Sequence, residues 1–240
     1  PGPPYHFMDR VASVGGEMGK MRVGSSVVVE YDVPPDAWYF EANGARLMPF
    51  CVLLEIALQP CGWLASYVGC ALTSDKDLVF RNLDGTGTVH REVLDDVGML
   101  TTSARLKSLS TAGGLIVVGF DVTVRAGDEL VYALDTVFGF FTPEMMIDQT
   151  GLATSADERA RFAEPCDRAY AIDRATRTPA HLFGALRIGD ENLRMIDRVT
   201  ALWEAGGEAG LGRIRAERAV VPSDWFFRAH FFQDPVQPGS

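Results

Sequence analysis

The chain has 240 residues, enough for one large domain or two small ones with a sizeable core. A net charge of -10 argues against binding nucleic acid through a basic face, and 47% hydrophobic with 22% charged residues is an ordinary globular balance. Cys51, Cys61, Cys70 and Cys166 lack the close pairing of a zinc site, so no metal is expected; the first three lie in an apolar segment and read as buried thiols in a reducing, cytoplasmic compartment.

The N-terminal run PGPPYHFMDR lacks the basic-then-apolar pattern of a secretory signal and reads as part of a longer polypeptide. Residues 23–33 are β-branched and extended in character, which predicts a strand that Pro34 and Pro35 break. Trp38–Phe40 and a short loop follow. Pro49, with no N–H to satisfy, suits a helix start. The helix is expected to reach about Leu72 and to kink near Pro60. The segment 49–72 is apolar enough to span a membrane, but Glu55, Gln59 and Pro60 favour a helix buried in a protein core.

Strand patterns then dominate to Thr142, with turn signals at Asp84-Gly85, Gly87, Gly113-Gly114 and Ala126-Gly127-Asp128. An apolar helix followed by an antiparallel sheet implies an α+β architecture. Residues 143–192 are more polar and read as a linker. A second start follows. Leu193–Val199 echoes Phe7–Val11, and AVVPSDWFFRAH (219–230) echoes YDVPPDAWYFEAN (31–43). The repeat sets His230 opposite Asn43, and Pro238 opposite Pro49. The second copy stops at Ser240, where the first enters its long helix, so it reads as truncated. The expected organisation is a first domain over 1–142, a linker over 143–192 and an incomplete second domain over 193–240.

Two stretches carry a family resemblance. WFFRAHFFQDPVQPGS (225–240) resembles the active-site segment of β-hydroxyacyl-ACP dehydratases of the hydroxydecanoyl dehydratase/isomerase type. MPFCVLLEIALQPCGWLASYVG (48–69) is similar to the central helix of dehydratase domains in polyunsaturated fatty acid synthases and related iterative polyketide synthases. The resemblance implies a hot-dog fold, a sheet curled around a long central helix, here as a tandem double hot dog. It also implies sites that take a His from one domain and a carboxylate from the other's helix. His230 and Glu55 would then form one composite site. The site built on Asn43 should be dead, because an amide is no general base near neutral pH.

The implied reaction is dehydration of a 3-hydroxyacyl thioester to the 2-enoyl thioester, in fatty acid or polyketide synthesis. Isomerisation could follow on the same base. His230 would remove the proton beside the carbonyl. Glu55 would protonate the leaving hydroxyl, since desolvation on an apolar helix favours a neutral carboxyl. By the same resemblance the Val236 carbonyl would orient the His230 ring, and Gln59 would support the acid or the departing water. Backbone N–H groups near Gly239 and Ser240 would hold the enolate oxygen. Phe50, Cys51 and Phe231 would wall an acyl tunnel between the two domains.

No cofactor is expected beyond the phosphopantetheine arm of an acyl carrier protein, which would bring the substrate. Further synthase domains and a second copy of the chain are the other expected partners; nucleic acid and membrane are not. Arg213, Arg215 and Arg218 form a candidate carrier landing patch, and His6, His90 and His181 read as surface or structural. Two other readings compete: a non-catalytic hot-dog pseudo-domain with a scaffolding role, favoured by Asn43, and a thioesterase, which the HFFQDPV-x-PG pattern opposes.

Overall fold

One helix organises the first part of the chain. The computed structural model describes residues 1–75, 77–147, 153–173, 189, 191–230 and 234–239. These fall into two compact units, one of Pro1–Glu41, Ala45–Gln149 and Trp225–Ser240, the other of Ala42–Gly44 and Thr150–Asp224.

In the first unit the strands are β1 (Arg10–Gly15), β2 (Ser26–Asp32), β3 (Val79–Val89), β4 (Met99–Ala112), β5 (Leu115–Ala126) and β6 (Glu129–Phe141). They form one sheet in the order β1-β2-β4-β5-β6-β3, and every pairing is antiparallel. Helix α1 (Trp38–Asn43) leads into α2 (Phe50–Tyr67), which packs against β2, β4 and β5. An antiparallel sheet around a long apolar helix is a hot dog, of α+β class, as the sequence led us to expect.

Burial explains the pairing. Val27, Val29 and Tyr31 on β2 are buried while their neighbours are not, the period-2 pattern of a strand with one covered face. Val52, Leu53, Ile56, Ala57, Cys61 and Leu64 of α2 are buried. Each fully buried aliphatic side chain contributes about 1.5–3 kcal/mol. The helix long and apolar enough to cross a membrane is thus a core helix, with 56% of its residues buried.

The helix is shorter than expected. It ends at Tyr67 because Gly69 adopts a positive φ of 90°, and a single 3-10 turn over Cys70–Leu72 follows. It also runs on through Pro60, which has no N–H to give the Ile56 carbonyl. The buried Thr102 hydroxyl of β4 donates to that carbonyl instead, at 3.4 Å.

The turns expected at Asp84-Gly85 and Gly87 are absent. These residues lie within β3, which continues past a bulge between Asn82 and Asp84. Gly87 is there for space: a Cβ would collide with the Tyr132 hydroxyl on the adjacent strand β6. The Gly113-Gly114 turn does join β4 to β5 as expected.

Helix α3 (Pro143–Ile147) closes the described part of this stretch. In the second unit, α4 (Ala156–Ala163) starts at a capping box: the Ser155 hydroxyl accepts from Glu158 N, and the Glu158 carboxylate accepts from Ser155 N. Strands β7 (Arg168–Asp173), β8 (Arg198–Trp203) and β9 (Arg213–Glu217) form a three-stranded antiparallel sheet. The segment expected as a linker therefore supplies a strand, β7, that pairs with β8. Much of the rest of that segment lies outside the described residues, His181 included. A short helix, α5 (Phe226–Ala229), belongs to the first unit.

Candidate active site

Glu55 and Gln59 lie on one face of α2, four residues apart, and both are buried. Continuing that stripe, Leu58, Gly62 and Ser66 help line a cavity of about 830 Å³ within the first unit. Phe80 and Arg81 of β3 and Phe138 and Phe140 of β6 supply the sheet side. Phe80 stacks on Phe138 at 4.7 Å between ring centroids, giving an aromatic floor.

His230 enters the same cavity from α5. Its backbone N–H closes the helix on Phe226 O at 2.7 Å, and the buried Phe226 and Ala229 fix the short turn beneath it. The ring nitrogen Nδ1 stands 3.0 Å from the Val236 carbonyl. A carbonyl only accepts, so Nδ1 carries the proton and Nε2 is the basic nitrogen of the neutral ring. Val236 and Gly239 also line the cavity. The structure thus gathers Glu55, Gln59, His230, Val236 and Gly239 around one space, although Glu55 and His230 are far apart in sequence. Asn43 ends α1 and is not part of the cavity lining.

Other sequence-chosen residues fall elsewhere. Phe50 is 54% exposed, packs edge-on against Tyr132 at 5.8 Å, and is not in the lining. Cys51 is half-buried and also outside the lining; burial pushes its thiol above the ordinary range. Both sit in the first turn of α2, Cys51 one helical turn before Glu55 on the same face. Ser240 and Phe231 lie outside the described residues.

Gln59 holds backbone as well as lining the cavity. Its Oε1 accepts from Phe7 N at 2.9 Å and its Nε2 donates to Tyr5 O at 3.0 Å. The amide thereby clamps the N-terminal segment beside the acid's helix face. That segment also reaches α5: Gly2 N donates to Ala229 O at 2.8 Å, and the Tyr5 ring meets the His230 ring edge-on at 6.0 Å.

The arginine patch is internal to the second unit's own framework. Arg213 pairs with Glu164 and lies 4.0 Å over the Trp203 ring. Arg215 donates to Thr200 Oγ1 and Phe162 O. Arg218 approaches Asp197 and Asp224. Each of the alternating arginines is thus engaged within the second unit.

Sequence reasoning missed Trp63, Phe80, Arg81, Phe138 and Phe140, and it set aside His6, an exposed residue that joins the lining. The helical stripe through Glu55 could have found Gly62 and its neighbour Trp63. Nothing in the pattern of β3 or β6 marks which aromatic face turns to the cavity.

Residues 188–240 match the FabA-like domain family. The chain is 32% identical over 230 residues to a polyunsaturated fatty acid synthase polypeptide of Thraustochytrium sp., a match that takes in 90% of this chain. The chain spans about 15% of that relative's length. Among solved structures, a fluoroacetyl-CoA thioesterase mutant aligns with a TM-score of 0.42 at 13% identity, over 60% of this chain and 100% of that one. A conserved protein of Pseudomonas aeruginosa aligns with a TM-score of 0.37 at 18% identity, over 52% of this chain and 88% of that one. The hot-dog assignment rests on the sheet and helix described above.

Proposed function

We propose that this chain dehydrates 3-hydroxyacyl thioesters to 2-enoyl thioesters. The observation that carries the reading is the Nδ1 contact of His230 with the Val236 carbonyl, in a cavity that also holds the buried Glu55. With Nδ1 protonated, Nε2 takes the proton from C2. The C2–H electron pair becomes the C2–C3 double bond as the C3–O bond breaks. Glu55 delivers its proton to the departing hydroxyl, and water leaves. Backbone N–H groups near Gly239 stabilise the charge on the thioester oxygen. His230 and Glu55 come from different copies of the repeat, so the site is composite. The aromatic floor of Phe80 and Phe138 offers an apolar resting place for the acyl chain.

The similarity to a polyunsaturated fatty acid synthase polypeptide supports a place among the domains of a larger synthase, with substrate delivered on the phosphopantetheine of an acyl carrier protein. No other cofactor enters these steps. A second copy of the chain completes the proposed partners, and isomerisation of the product would reuse His230. The test is dehydration of a 3-hydroxyacyl pantetheine thioester, followed by ultraviolet absorbance of the enoyl product. His230→Ala and Glu55→Ala should each lower turnover by about 10²- to 10⁴-fold. Turnover that survives either change removes that residue from the mechanism. An inactive parent chain would favour the scaffolding reading.

A further inference from the structure

Asp234 lies four residues after His230 and two before Val236 in the chain. Among the described residues, Arg81 holds it. Arg81 Nη2 donates to Asp234 Oδ1 at 2.9 Å, and Arg81 Nη1 donates to Oδ2 in a second, shorter bond. The same Nη1 donates to the Phe80 carbonyl at 2.8 Å, which ties the guanidinium to its own strand. Both side chains are about three-quarters covered, at 23% and 26% exposure. A bidentate pair with that cover holds geometry in a way that a solvated pair does not. Arg81 sits on β3 beside Phe80, and both line the cavity.

We propose that Asp234 is a positioning residue for His230, latched to the sheet by Arg81. The latch fixes the Val236 carbonyl where it can accept from His230 Nδ1. Through that bond it selects the ring tautomer that leaves Nε2 basic. The inference rests on the dehydratase reading for its consequence in turnover, but not for its effect on the imidazole.

The test compares the parent chain with Asp234→Asn, Arg81→Ala and the exchanged pair Arg81→Asp with Asp234→Arg. The first readout is the nitrogen-15 NMR signal of the His230 ring, which reports the tautomer with no substrate present. The parent should show the Nδ1–H form. The two single variants should show a mixture of forms, and the exchanged pair should return to the Nδ1–H form. The second readout is steady-state dehydration. Misplacement of the base should lower kcat in the single variants by about 10- to 100-fold, with KM within about 2-fold.

An unchanged His230 tautomer in Asp234→Asn and Arg81→Ala, both shown folded by circular dichroism, would overturn the latch. So would failure of the exchanged pair to recover the parent signal when it too is folded. A tautomer shift in a chain that dehydrates nothing would uphold the latch and sink the dehydratase reading instead.

Discussion

The two hairpins of the internal repeat share their local bonds and differ in what covers them. In the first, Asp9 N donates to Glu30 O, and the Asp9 carboxylate accepts from Asp32 N at 2.7 Å. In the second, Asp197 N donates to Glu217 O, and the Asp197 carboxylate accepts from Ala219 N at 2.7 Å. Arg10 pairs with Glu30 across the first hairpin, and Arg198 with Glu217 across the second. Burial diverges. Val27 is 1% exposed on β2, where α2 covers the strand, whereas Ile214, its counterpart on β9, is 56% exposed. Register is therefore a local property of the repeated sequence, and burial belongs to the helix. The same contrast holds at the ends of the two copies: His230 lines a cavity against α2, and Asn43 is not in that lining.

The sharpest break in the repeat is at that pair. Asn43→Ala should leave dehydration within about 2-fold of the parent, while His230→Ala should remove a general base and with it at least about 10²-fold. Equal losses in the two variants would mean that the first copy contributes to the same chemistry.

A smaller contrast tests the cover. Val27→Ala should destabilise the first unit by about 2 kcal/mol, through lost burial and the void left under α2. Ile214→Ala should change stability by less than about 0.5 kcal/mol, as surface substitutions do. Denaturant unfolding of both variants measures the difference. A large effect at Ile214 would show that β9 is covered in solution.

The features legible in the sequence are those with a local cause. The β-branched run of β2, the unbroken apolar helix and the Gly113-Gly114 turn each follow from a few neighbouring residues. His230 and Glu55 were legible because they stand in patterned contexts, one in the WFFRAH repeat and one on a helical stripe. What stayed hidden depends on distant neighbours. Gly85 and Gly87 looked like turn residues, but Gly87 is small because Tyr132 of β6 crosses above it. The bonds that Gln59 makes to the backbone of Tyr5 and Phe7 were equally hidden, because those residues lie some fifty positions away in the sequence. Strand β7 arises in a polar segment with no strand signature, and only pairing with β8 makes it one.

Shared local bonds predict equal losses at the backbone. Asp9→Ala and Asp197→Ala each remove one carboxylate-to-backbone hydrogen bond at the end of a hairpin, worth about 1 kcal/mol, and Asp197→Ala also removes the approach of Arg218. Amide exchange at Asp32 and at Ala219 reads the two bonds separately. If only one amide loses protection, the repeat has lost its structural equivalence at that position.

The finest contrast is in acid. The first hairpin carries a carboxylate that the second lacks, because Asp32 stands where the second copy has Ala219. Arg10 holds Asp32 through two hydrogen bonds, at 2.6 and 3.0 Å, and these bonds draw its carboxyl below the usual aspartate range. A carboxyl depressed by folding adds stability above its unfolded value of about 3.9, and that stability fades as pH falls through the folded value. Asp32→Asn should therefore loosen β1 and β2 at neutral pH and match the parent once both are well below that range. The effect is small, since the pair is solvated and screened by salt. Amide exchange along β1 as a function of pH reads it directly. A difference between parent and Asp32→Asn that persists unchanged at the lowest pH would mean that the side chain acts through packing and not through its charge.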